Sequence, residues 1–581
     1  MSCSRPPDPP TTRSGWRRVP GRLAKLLSPR GTFALNRVDG ALAFALRAAL
    51  AMAVLAVPLV LAGQTQLAVH AMLGSFTTTF GRNLPYAHRS RVLATAGLAM
   101  TACVAGGSAL SAWAHPEESG TGAAAVVVAT ALIAGLAKFF CDATRLSGLG
   151  AVLLIFSFAV AANTTASFSD VLPQTGMAAA GAAVAWALAV SGWLVHPDRP
   201  QRLAVAAALR ELADLLETTG GALHVPRFAR HRATSAVLQA YRSLGIAPPP
   251  VAGHVDRGGV CARLTDLAWS LLIDSASKPP KRPERLATLL RRQAALLTDR
   301  RTRDTPILSE LSYPPPAVRG TRPEPADPSV VRAAELLTGQ RPGYSGHHLS
   351  VLLVPALRMV LGTGLAGALA EILGLGHAYW AAISAAAVLH SVNVRTAAVR
   401  AFQRTLGTLA GLLIALGVLA ADPSPLALVL VLVLLEFLLE YVVVSNYGLG
   451  VVFVTPLALL LTDLAAPEPA GALIEDRALS SILGIVVGLL CSLLLVHDRA
   501  AVRVERAMAA CDRAAGQAER VLDERVTAAY PEAQMHLAAA VVDLREADDA
   551  AAGELWQAEI DPAELAAAEQ RAYLLLERFV R

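Results

Sequence analysis

Trp193-Leu194-Val195-His196-Pro197-Asp198-Arg199 closes a block of six apolar segments, and Leu494-Leu495-Val496-His497-Asp498-Arg499 closes a second, its histidine 301 positions later. The segments of the first block lie at 40–63, 66–80, 92–114, 122–136, 146–162 and 172–195; those of the second lie at 349–373, 378–394, 405–421, 425–439, 447–461 and 479–496. Many have the length a helix needs to cross hydrocarbon, about 17–25 residues. Six is even, so both blocks enter the bilayer from one side. That makes them a parallel repeat about an axis along the membrane normal, with a solute path expected between the halves. The expected fold is all-α: a polytopic membrane protein of two parallel six-helix transmembrane repeats plus helical cytoplasmic regions. Its expected parts are a basic, disordered segment (1–40), a first bundle (41–197), a helical domain with linker (198–345), a second bundle (346–497) and a helical tail (498–581).

Composition agrees. Of 581 residues, 54% are hydrophobic and 17% charged, against roughly 25% charged in a soluble domain. The formal charge of +6 is unevenly spread. Residues 198–345 hold 22 basic and 14 acidic side chains, whereas 498–581 hold 10 and 17. Opposite signs on two polar pieces argue for docking between them and against nucleic acid as a partner. The six cysteines are scattered without metal-ligand spacing, so neither a disulfide framework nor a metal site is expected. No cofactor is expected. The first forty residues carry no apolar core, so the first span is expected to serve as its own targeting element.

Charge also orients the chain, since Lys and Arg favour the cytoplasmic side of short loops. Arg82, Arg89 and Arg91 lie between spans two and three, Lys138 and Arg145 between four and five, and Arg395, Arg400 and Arg404 between eight and nine. The intervening loops lack Lys and Arg, or hold only acids until Arg477. Twelve spans in the cytoplasmic (cell) membrane, with both termini cytoplasmic, fit nearly every loop. The exception is 440–446, which carries no positive charge.

Outside the spans, 199–219, 227–244, 264–273 and 283–302 follow helical periodicity. Residues 305–346 are rich in Pro and Gly and read as a linker. Asp561-Pro562 reads as a helix start. No nucleotide loop, nucleophile elbow or zinc motif occurs, so an enzyme is not expected.

The second block carries recognisable text: His377-Ala378-Tyr379-Trp380-Ala381-Ala382-Ile383-Ser384, then Arg395-Thr396, Arg400, Arg404 and Gly407-Thr408-Leu409-Ala410-Gly411. Ser445-Asn446-Tyr447-Gly448-Leu449-Gly450 runs on to Thr455-Pro456, and Asp476-Arg477 precedes Gly484 and Gly488. This text resembles the fusaric acid resistance family, which includes bacterial aromatic-acid exporters and is similar to plant aluminium-activated malate transporters. The resemblance is strong over about 350–500 and weaker over 41–197, where Leu84-Pro85-Tyr86, Arg89 and Arg91 stand. It implies efflux or anion conduction at the cytoplasmic membrane.

The membrane positions can be read for chemistry. Arg47 and Arg358 occupy matching early positions in spans one and seven. Snorkelling to the headgroups accounts for them, as does a guanidinium pair that forks a carboxylate at the entrance. Arg400 and Arg404, four apart, share a face, and with Arg395 they serve the positive-inside rule or draw in an anion. Glu436 and Glu440 share a face of an otherwise aliphatic span. In low dielectric such carboxyls either pair with an arginine (Arg395, Arg400 or Arg404) or hold a proton for coupling. Tyr379 and Trp380 suit an interfacial belt or stacking on an aromatic solute. The breaks at 446–450 and 455–456 suit backbone that lines a cavity. Gly407, Gly411, Gly484 and Gly488 have the spacing of close helix contacts. His70 and His390 are expected to bond to neighbouring helices.

The substrate-path positions are therefore Arg47, Arg89, Arg358, Arg395, Arg400, Arg404, Tyr379, Trp380 and Tyr447, with Glu436 and Glu440 for coupling. The expected partners are small organic anions, the lipid bilayer and further copies of the chain. The leading expectation is an exporter of small aromatic carboxylic acids. The alternatives are a passive organic-anion channel and a membrane scaffold whose cytoplasmic helices bind partners.

Overall fold

The computed structural model describes residues 40–82, 84–116, 118–144, 150–164, 167–218, 224–248, 259–277, 282–299, 306–311, 347–391, 393–494, 499–554 and 561–580. The expected disordered segment (1–39), most of the linker (312–346) and His497 lie outside these. The described residues are helical and contain no strand.

The first membrane block holds α1 (Ala41–Leu61), α2 (Thr65–Ser75), α3 (Tyr86–Ala114), α4 (Gly120–Ala143), α5 (Gly150–Ala162) and α6 (Phe168–Val195). Between the blocks run α7 (Arg199–Thr218), α8 (His224–Leu244), α9 (Val260–Ser277) and α10 (Pro283–Thr298). The second block holds α11 (His347–Ile372), α12 (Tyr379–Leu389), α13 (Val394–Leu419), α14 (Pro425–Val442), α15 (Tyr447–Ala465) and α16 (Ala470–Leu494). After it come α17 (Arg499–Asp523), α18 (Tyr530–Ala552) and α19 (Pro562–Val580).

Among the described residues, nine helices are long and apolar enough to cross a membrane. Their outer faces explain why water is the wrong solvent. On α11, Leu353, Leu357, Leu361 and Leu365 form a stripe four residues apart, each at least half exposed. Leaving the exposed half of such side chains in water forgoes roughly 1 kcal/mol apiece; facing acyl chains, they lose nothing.

Three of the twelve expected spans are shorter than hydropathy suggested. Helices α2 and α12 have 11 residues each, and α5 has 13. At about 1.5 Å per residue they reach under ~20 Å, short of the ~30 Å hydrocarbon core. All three are enclosed by protein. Every residue of α12 is buried, as is nearly all of α5. Helix ends inside a bilayer are tolerated where protein surrounds them. Arg358 of α11 shows how: its guanidinium donates to the carbonyls of Leu389 (2.7 Å) and Ser391 (3.1 Å), satisfying the end of α12.

In the first block α6 packs on α2 and α3, α5 on α3 and α4, and α2 on α1. In the second, α16 packs on α12 and α13, α15 on α13 and α14, and α12 on α11. The blocks interlock, because α4 packs on α11 and α14 on α1. Glycine sets the closeness. A Cβ added at Gly181 of α6 would lie 2.0 Å from the Ala71 carbonyl oxygen, and one at Gly484 of α16 would lie 2.2 Å from that of Ala381.

Helix α15 corrects one expectation. It runs unbroken from Tyr447, because Asn446 caps it: the Asn446 Oδ1 accepts the Gly448 N–H at 2.8 Å. Pro456 sits inside the helix, and Gly411 of α13 leaves it room. A Cβ there would meet the Pro456 Cδ at 2.9 Å.

Helices α7–α10 and α17–α19 share one apolar core, with Leu209, Leu212, Trp269, Leu537, Leu576 and Phe579 all buried. The two polar pieces of opposite charge therefore meet through carbon. Polar links cross the seam at Thr234–Tyr573 (2.9 Å) and at Trp269, whose Nε1 donates to the Gln534 Oε1 at 3.3 Å. Asp561 starts α19 as its spacing suggested, accepting the Ala563 N–H at 2.9 Å.

This helical domain touches the membrane block at the start of α13. The Arg395 N–H donates to the Gly553 carbonyl at 3.0 Å, and the Asn393 Nδ2 to the Ala550 carbonyl at 3.1 Å. Beside them Glu554 accepts from the Val394 N–H. Burial pushes the Glu554 carboxyl up to about 7, against the pull of Arg358 and that N–H.

Candidate functional site

Helix α14 carries the acids because its inner face must be buried and its outer face must be greasy. Leu430 and Leu434 point outward, whereas Leu428, Leu432, Leu435, Glu436, Leu439 and Glu440 point inward. Glu436 and Glu440 are each only 1% exposed.

Glu440 is fully engaged. Its Oε1 accepts from the Thr79 hydroxyl at 2.7 Å, and its Oε2 pairs with Arg82. Arg82 also donates to the Glu440 carbonyl at 3.0 Å and lies 3.7 Å above the Phe44 ring. The partner is thus none of the three arginines expected. Arg82 comes from the turn after α2, in the other block.

Glu436 is different. Its Oε2 is buried and has no hydrogen-bond partner among the described residues. It opens on a cavity of about 50 Å³ lined from both blocks: by Phe156 of α5, Trp380 of α12, Arg404 of α13, Val454 of α15 and Arg477 of α16.

The two arginines of this cavity have no carboxylate within ion-pairing reach among the described residues. Arg404 is 4% exposed and donates to the Ser384 hydroxyl (3.2 Å) and the Tyr447 hydroxyl (3.4 Å). Arg477 is 2% exposed and stacks 3.7 Å above the Trp380 ring, with its Nε and one terminal nitrogen unpartnered. Trp380 stacks in turn on Phe156 at 6.0 Å. Buried guanidinium groups are costly in a membrane interior and mark functional positions. The ring under Arg477 recovers part of that cost, but its unpartnered N–H groups remain available to an anion.

The expected path residues separate. Arg404, Trp380, Tyr447, Glu436 and Glu440 line the cavity. Arg400 lies 5.6 Å from the Tyr447 ring centroid, so it and Arg404 do share a face. Tyr379 sits behind Trp380 at 4.6 Å. Both aromatics are buried, so neither belongs to an interfacial belt. Arg358 is committed to the end of α12, Arg395 is exposed at the start of α13, and Arg47 bonds back to the Ala43 carbonyl. Arg89 is buried 5.6 Å from Phe44, away from the cavity. His70 bonds within its own helix to the Gln66 carbonyl rather than to a neighbouring one.

Arg477, Arg82 and Phe156 join the site without being among the path or coupling positions expected from sequence. The acidic run before Arg477 reads as a loop with the arginine at its edge, yet Arg477 lies inside α16. A signal was there: Arg477, Ser480, Ser481, Gly484 and Gly488 recur at helical spacing, so the arginine shares the small-residue face that packs inward.

Comparison with known proteins falls on this same stretch. Residues 365–491 match the family described as fusaric acid resistance protein-like. Trp380, Arg404, Glu436, Glu440, Tyr447 and Arg477 all lie within that fusaric acid resistance protein-like segment, and 41–197 lies outside it. An uncharacterized membrane protein of Bacillus subtilis (strain 168), YvaC, is 31% identical over 232 residues, which is 39% of this chain. The match spans only 36% of that relative's length. No solved structure matches the chain.

Proposed function

We propose that the protein exports small aromatic carboxylic acids across the cytoplasmic membrane. The observation that carries this reading is the pair Arg404 and Arg477, buried beside the Trp380–Phe156 stack without carboxylate partners among the described residues. A carboxylate would take charge-assisted hydrogen bonds from the guanidinium groups, and an aromatic ring would lie against Trp380. The fusaric acid resistance protein-like match supports the transport class.

The cavity, about 50 Å³, is far below the ~300–1,000 Å³ of pockets that hold organic ligands. Transport on this reading requires α5 and the turn after α2, which supply Phe156 and Phe76, to part from the second-block helices that carry Trp380, Arg404, Glu436 and Arg477. The two-repeat architecture supplies the motion: one six-helix half rocks against the other about an axis along the membrane normal. The like pairing of α2–α6 with α12–α16, and of α4–α11 with α14–α1, supports that architecture. Both termini face the cytoplasm on this reading, with Arg82 and Arg89 on the inner side. Glu436, whose Oε2 has no hydrogen-bond partner among the described residues and which neighbours Glu440, carries the coupling proton.

The test is efflux of benzoate from proteoliposomes holding the full-length protein. Arg477→Gln should slow efflux at least about tenfold, as expected when a charge-assisted hydrogen bond is lost. Unchanged efflux in both Arg477→Gln and Arg404→Gln would remove the cavity from the path.

A further inference from the structure

Outside the membrane block, a second cavity of about 180 Å³ lies where the two polar pieces of the chain meet. Arg227, Arg230 and His231 of α8 form one wall, with Arg545 of α18 and Glu569 and Tyr573 of α19 opposite. We propose that this seam is a binding site for a small organic anion, an aromatic monocarboxylate.

The charges sort into those already spent and those still available. The Arg545 charge is neutralised by Asp549 (3.2 Å), Asp548 (3.4 Å) and Glu569 (3.8 Å), although its Nε, like that of Arg230, is buried without a partner among the described residues. Arg227 forms no ion pair among the described residues. Arg230 has one terminal nitrogen on the Ser275 carbonyl at 3.3 Å, and its Nε is buried without a partner. Arg227 and Arg230 are three residues apart on one helix and so project from one face, a spacing suited to holding one carboxylate between two guanidinium groups.

The remainder of the wall favours an organic ion over an inorganic one. Val541, Leu574 and the Tyr573 ring supply carbon. The Arg230 guanidinium stands 5.4 Å from the Tyr573 centroid, which leaves a flat ring able to lie beside both. One acidic neighbour, Glu569, opposes binding. Burial pushes the Glu569 carboxyl up, which lessens repulsion, and pushes the His231 imidazolium down, which leaves a neutral ring able to donate one N–H.

The seam joins sequence that precedes the second membrane block to sequence that follows it. Occupancy therefore fastens α8 to α18 and α19, and α18 ends at the Asn393 and Arg395 contacts that hold the start of α13. The site stands on its own residues, whether or not the membrane cavity moves solute.

Hydrogen–deuterium exchange on the full-length protein in detergent tests it, with salicylate as the probe and inorganic phosphate as the control anion. Salicylate should slow exchange several-fold in 227–241 and 566–574, and phosphate should not. Arg227→Gln with Arg230→Gln should abolish the protection. Ala566→Trp, which fills the rim without changing charge, should abolish it too and guards against misfolding of the double variant. Absence of protection, protection that survives both variants, or equal protection by phosphate overturns the proposal.

Discussion

Glu440 of α14 is held by Arg82, which lies 358 residues earlier in the turn after α2. The pair ties the two membrane blocks together at a point where both side chains are largely buried. Breaking a buried pair from one side costs about 3–5 kcal/mol, because the other charge is left stranded. Arg82→Ala should therefore lower the unfolding midpoint of the detergent-solubilised protein sharply. Adding Glu440→Gln should restore part of it. Equal loss in the single and double variants would show that the pair couples nothing.

Glu436 makes a separate prediction, because it forms no ion pair among the described residues. Glu436→Gln should leave the protein folded and uncouple benzoate efflux from an imposed pH gradient. Efflux that still follows the gradient in this variant would assign coupling elsewhere.

At the junction with the helical domain, pH acts with a definite sign. Glu554 is raised from its ordinary 4.5 to about 7 in the folded protein. Between those values the folded state binds more protons than the unfolded one, so stability falls as pH rises from about 4.5 to 7. The α13–α18 junction should be firmest near pH 5 and weaker at pH 8, and Glu554→Gln should flatten the dependence. Limited proteolysis around 553–561 at the two pH values reads this out; faster cleavage at pH 5 would reverse the argument.

Close helix contact can be tested at one atom. A Cβ at Gly484 would fall 2.2 Å from the Ala381 carbonyl oxygen, so Gly484→Ala must push α16 off α12. Overpacking of this kind costs roughly 1–3 kcal/mol. Gly417 has nothing within 4 Å, so Gly417→Ala should be nearly silent in the same melting experiment. Similar midpoints for the two variants would contradict the packing.

Much of this was legible in the chain itself. Hydropathy located the apolar segments, and the Glu436–Glu440 spacing placed both carboxyls on one inward face. Hydropathy misjudged α2, α5 and α12, because an apolar residue enclosed by protein reads the same as one facing lipid. It also left Tyr379 and Trp380 ambiguous, since a buried aromatic and an interfacial one have the same composition. The partner of Glu440 was illegible for a different reason: nothing local connects residue 440 to residue 82. Arg477 was misplaced because its acidic neighbours, Glu475 and Asp476, resemble a loop, although the first turns of α16 contain all three.

On the proposed function, organic anions pass through the cavity between Arg404 and Arg477. The most direct measurement is thiol labelling of Val454→Cys, on the cavity wall, in membranes, with an anionic methanethiosulfonate reagent and with or without benzoate. Labelling should exceed the wild-type background and slow markedly with benzoate. Labelling at the background rate, or labelling indifferent to benzoate, would contradict the proposed function.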